Sequence, residues 1–199
     1  MIYQNNVEIP SEPYAHAGGN TYCWPDYGGD LLYYHTHHTM GNTGMPQFRL
    51  TGEIKSLEQM RWCLSKAIVC LSALEAKLTG WQKEECWRLC NMIKYLDCYI
   101  LTIINAKRWH QLRWRIKATE DAPKVAEILK GMIEVGREEI ENAKDAIELL
   151  ENDSRLGWEP NMEYNGGVRN VKWKIKQVTQ VIENEIPSVL SRVEAYINR

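Results

Sequence analysis

The chain lacks a long apolar run, a basic leader, a metal-type cysteine spacing, a surplus of one charge sign and nearly all strand-type alternation. Each absence removes a class of protein. The longest apolar stretch, Tyr99 to Ala106, is broken by Thr102 and Asn105 and falls well short of the roughly 20 residues that span a bilayer as a helix. Met1 to His16 carries neither the basic patch nor the apolar core of a secretion signal. A formal charge of -2 provides no field for general binding to nucleic acid or a membrane surface, so neither partner is expected. The six cysteines, at 23, 63, 70, 86, 90 and 98, include no C-x-x-C pair. Five of them fall within helical patterns, which points to free buried thiols filling small core positions, with one interhelical bridge as the alternative.

What is present divides the chain in two. Residues 1 to 51 hold four of the seven prolines, six of the ten tyrosines and four of the five histidines, with glycine pairs at Gly18–Gly19 and Gly28–Gly29. This is the punctuation of loops. About 50 loop-like residues make an unusually long opening for a compact domain, so the expectation is a fragment or C-terminal module of a larger protein. Residues 52 to 199 read as four long helices, making an all-α elongated antiparallel bundle and a single domain.

Ser56 to Gln59 reads as a capping box starting the first helix, with Leu57, Met60, Leu64, Ile68 and Leu71 behind it and Gly80 as the stop. The second helix, about Trp81 to Lys117, is apolar on several sides and is expected at the centre of the bundle. Asp121 and Pro123 start the third, which carries a clean stripe from Val125 to Leu150. The fourth runs from about Val168 to Asn198, with Pro187 expected to kink or split it.

Three constellations carry candidate chemistry. In the cluster His35, His37 and His38 the alternate pair His35 and His37 would project to one side of a strand as metal-binding imidazoles do, with His16, Asp26 or Asp30 as a third ligand. The plainer reading is loop histidines hydrogen-bonding within an interface, and no metal or other cofactor is assigned. Trp24, Asp26 and Tyr27, with Tyr33 and Tyr34, combine flat rings and polar groups as a sugar site does, and would serve equally as a cap on the bundle end. Trp158, Glu159 and Glu163 share the loop before the fourth helix. Paired carboxylates hydrolyse glycosides only at a separation of ~5 to 9.5 Å, and stapling the loop at a helix start is the simpler role. The stretch Lys107 to Lys117 interleaves basic and aromatic residues as nucleic-acid surfaces do, yet acidic residues from Glu134 to Glu148 in the next helix provide pairing partners.

The segment Asp153 to Tyr164, followed after Gly166–Gly167 by Arg169 to Val178, resembles the C-terminal helical region of large, mostly bacterial proteins related to glucuronidase-like and hexosaminidase-like glycoside hydrolases. The resemblance covers about a fifth of the chain and includes no catalytic motif. It implies a secreted or periplasmic parent whose catalytic barrel lies elsewhere, with this chain as a non-catalytic accessory module bordering a glycan site. The competing expectations are a free-standing bundle binding a metal or small ligand through its histidine-rich loop, and a purely structural or interaction bundle.

Overall fold

The computed structural model describes residues 46–157 and 166–198. Four antiparallel rods fill them: α1 (Pro46–Glu75), α2 (Gly80–Lys117), α3 (Ala122–Asn152), and a fourth built from α4 (Val168–Gln180), a π-helical turn (Val181–Glu185) and α5 (Ile186–Ile197). At 1.5 Å per residue α2 extends about 57 Å. Successive helices pack on one another: α1 on α2, α2 on α3, and α3 on both halves of the fourth rod.

Each junction has a local cause. Gly80, at φ 58, reverses the chain between α1 and α2 in a conformation that costs a residue with a Cβ. Asp121 caps α3 by accepting from the Lys124 backbone N–H at 3.4 Å, with proline in the first turn. In the fourth rod Pro187 has no N–H to donate, and its ring excludes the carbonyl four residues back. The ladder widens before it: the Ile186 N–H reaches the Val181 carbonyl, five residues away. The expected split at Pro187 is thus a single π-helical turn inside a continuous rod.

Two boundaries depart from the sequence pattern. α1 begins at Pro46, so Pro46 to Thr51 belong to the bundle. Ser56 lies inside α1 and not at its start, because its hydroxyl donates to the Gly52 carbonyl at 3.2 Å, the back-bond a mid-helix serine makes. The helix ends at Glu75, before the expected stop at Gly80.

The main core joins α2, α3 and the fourth rod through Trp109, Leu129, Met132, Val178, Val181, Ile182 and Ile186. A smaller one joins α1 to α2 through Ile54, Ile100 and Ile104. Gly136 permits the close approach of α3 to the π-helical turn, since a Cβ there would overlap Ile182 Cγ2. Only the second half of α2 is central as expected: Thr102 to Lys107 is buried without interruption, whereas Trp81, Trp87, Leu89 and Met92 in its first half are exposed. The thiols divide likewise. Cys86 and Cys90 are buried and Cys98 is half-buried, but Cys63 and Cys70 stand on the outer side of α1, against the expectation of a buried set. All five are free.

Candidate functional site

Beneath the α2–α3–α4 contact lies a polar cluster. Glu139 of α3, 1% exposed, forms an ion pair with Lys174 of α4. Its Oε1 accepts from Thr102 Oγ1 at 2.7 Å and its Oε2 from Asn105 Nδ2 at 3.0 Å. Lys174 Nζ donates to Thr102 Oγ1 at 3.1 Å, and Asn142 Nδ2 donates to the same hydroxyl at 3.0 Å and to the Cys98 carbonyl at 2.9 Å. A buried carboxylate is tolerated only when a cation and donors replace its water, and Lys174, Thr102 and Asn105 provide that replacement. One turn beyond Lys174, Gln177 Oε1 is buried with no hydrogen-bond partner, as are the indole N–H groups of Trp109 and Trp173.

Ion pairs tie the three sequential helices above the cluster. Lys107, 3% exposed, reaches Glu53 of α1. Arg108 lies between Glu58 of α1 at 3.1 Å and Glu138 of α3 at 2.8 Å. Farther along, Arg61 grips Asp97 with two hydrogen bonds of 2.8 and 2.7 Å. Those bonds raise the guanidinium pKa above its ordinary value. Burial, reinforced by the nearby Asp97 and Asp145 carboxylates, pushes the Cys98 thiol up to about 11. It is protonated and unreactive at neutral pH. The start of the basic and aromatic run is therefore interior, with Lys107, Trp109 and His110 buried and Arg108 paired across helices, whereas Arg115 and Lys117 at its end are exposed.

The outer surface is the reverse. On the side of α1 turned from α2, Trp62 (62% exposed) and Val69 (67%) stand in the open, with Trp81 (74%) at the α1–α2 turn. The exposed residues Trp62, Lys66, Val69 and Ala73 follow a four–three spacing that draws one stripe along a helix. Cys63 and Cys70 run beside it, seven residues apart, and the Lys66 ammonium lies 5.3 Å from the Trp62 ring centroid.

The residues singled out from the sequence, Trp24, Asp26, Tyr27, His35, His37, His38, Trp158 and Glu159, lie outside the described residues. So does Glu163, while the two ends of its loop are pinned together where the Gly166 N–H donates to the Gly157 carbonyl at 2.9 Å. Among the described residues there is no cluster of three or more metal-ligating side chains, and no helix long and apolar enough to cross a membrane. The cluster itself was missed, although it left a trace. Glu139 falls three residues after Gly136 and four before Ala143, on the apolar stripe of α3, and Lys174 falls four before Val178 on that of α4. A charge at a stripe position in each of two neighbouring helices is the pattern of a buried pair. No family model, curated protein or solved structure matches the chain.

Proposed function

We propose that the chain is a non-catalytic helical interaction module that docks a helix of a second copy of itself on the outer stripe of α1. The carrying observation is the exposure of Trp62 and Val69 at helical-seam spacing on a helix whose other side already packs on α2. Large apolar side chains grouped on a surface mark a contact face. Covering each of them is worth about 1.5–3 kcal/mol. The interior supports the same reading: Glu139 and Lys174 neutralise each other beneath the surface, as parts of a scaffold do.

The accessory-module part of the sequence expectation is kept in this reading. Its carbohydrate part rests on aromatic and histidine residues outside the described ones, its catalytic-barrel partner rests on the resemblance alone, and no observation among the described residues favours either.

Sedimentation equilibrium of the 199-residue chain tests the proposal against a Trp62→Glu/Val69→Glu variant. Concentration-dependent dimerisation is expected for the parent chain and its loss in the variant, with helical circular dichroism unchanged and Tm equal to that of the dilute, monomeric parent because both side chains are outside the cores. A parent chain that remains monomeric to millimolar concentration refutes the reading.

A further inference from the structure

A second surface feature stands apart from the α1 stripe. Where α1 begins, α2 forms the floor and α1 and α3 the walls of a groove with a volume of about 410 Å³, within the 300–1,000 Å³ range of small-molecule sites. Its two ends differ in charge. At one end Arg108 is already held by Glu58 and Glu138, so that end offers no net positive field. Two turns on, about 10.5 Å along α2, Arg115 is exposed and its side chain makes no hydrogen bond or ion pair among the described residues. Between them the floor is Leu112, and the α3 wall is Val135 and Gly131. Gly131 keeps that wall low, since a Cβ there would only touch Leu112 Cδ2 at 3.7 Å. On the opposite wall Gln111 Nε2 donates to Thr51 Oγ1 at 2.9 Å, which ties α1 to the floor.

We propose that this groove binds an amphipathic organic carboxylate, its head on Arg115 and its apolar body along Leu112 and Val135. A guanidinium presents paired N–H donors that match a carboxylate, and it stays charged at every physiological pH. An acid ligand is favoured over a neutral one because Arg115 gains a counter-charge it otherwise lacks. An apolar body is required because beyond that head the groove offers carbon.

Titration calorimetry of the full chain with octanoate, octyl phosphate and octanol tests this. Octanoate is expected to bind saturably, at least tenfold more tightly than octanol and more tightly than octyl phosphate. Arg115→Gln is expected to weaken octanoate at least tenfold. Gly131→Leu is expected to abolish its binding by filling the groove, without lowering Tm, since leucine is the better helix former. The Trp62→Glu/Val69→Glu variant retains octanoate binding, which separates this site from the α1 stripe. The proposal is overturned by equal affinity for octanol and octanoate, by preference for the phosphate, by Arg115→Gln and Gly131→Leu leaving affinity within twofold, or by the absence of saturable binding.

Discussion

Replacing Lys174 with methionine keeps most of the side chain's volume and removes its charge. Glu139 then has Thr102 and Asn105 as donors but no cation, in a position 1% exposed. Removing one member of a buried ion pair costs about 3–5 kcal/mol. For a domain of this size each kcal/mol shifts Tm by about 2–4 °C, so a drop of roughly 6–20 °C is expected. The double variant Lys174→Met/Glu139→Met removes the stranded charge and should recover more than half of the loss. It should not recover all of it, because Asn105 Nδ2 loses its acceptor, at about 1–3 kcal/mol for an orphaned buried donor. Urea and thermal unfolding followed by circular dichroism, with both single variants to complete the cycle, give the coupling energy. A single Lys174→Met variant losing less than about 1 kcal/mol, or a double variant no more stable than it, would refute the picture of a desolvated pair.

The two helical glycines of α3 should respond in opposite directions. Gly136→Ala forces a methyl into Ile182 and should destabilise by about 1–3 kcal/mol, whereas Gly131→Ala meets Leu112 at ordinary contact distance and should stabilise by about 0.5–1 kcal/mol; unfolding midpoints read both, and equal effects would contradict the tight α3–π-turn approach. Thiol labelling with a disulfide reagent at neutral pH should modify Cys63 and Cys70 rapidly and leave Cys86, Cys90 and Cys98 slow, and early labelling of Cys98 would contradict its protected state. The folded Cys98 thiol holds its proton to about pH 11, above its ordinary value of 9.0. The native state therefore binds more protons than the unfolded one between those values, and Cys98 contributes a loss of stability as pH rises through that window. Cys98→Ser should flatten that part of a stability-versus-pH curve.

Helix identity was legible wherever apolar residues repeat on one side. The α3 stripe from Val125 to Leu150, with its Asp121 cap, and the fourth rod with its break at Pro187 follow from spacing and from the missing N–H of proline. The start of α1 was not legible, because Pro46 as a first-turn residue competes with a Ser56 motif whose hydroxyl has a second use inside a helix. The candidate site was hardly legible at all. The aromatic and histidine-rich residues that drew attention lie outside the described ones, and of the polar residues that the fold gathers only Glu139 stood among those with an assigned role, as one of the acidic partners for the basic run.

The residues alone determined that this is a chain of long antiparallel helices, since local spacing, caps and proline act within a turn or two. Only the tertiary structure decided that Glu139 and Lys174 turn inward while Trp62 and Val69 remain outside. Periodicity marks a face without naming what covers it. Where α1 and the first half of α2 are apolar on several sides, that choice belongs to the neighbouring helices, and α1 packs against α2 alone among the strong helix contacts. The charge on Glu139 is tolerated inside because Lys174 arrives from a helix more than 30 residues away, a meeting that no local pattern encodes.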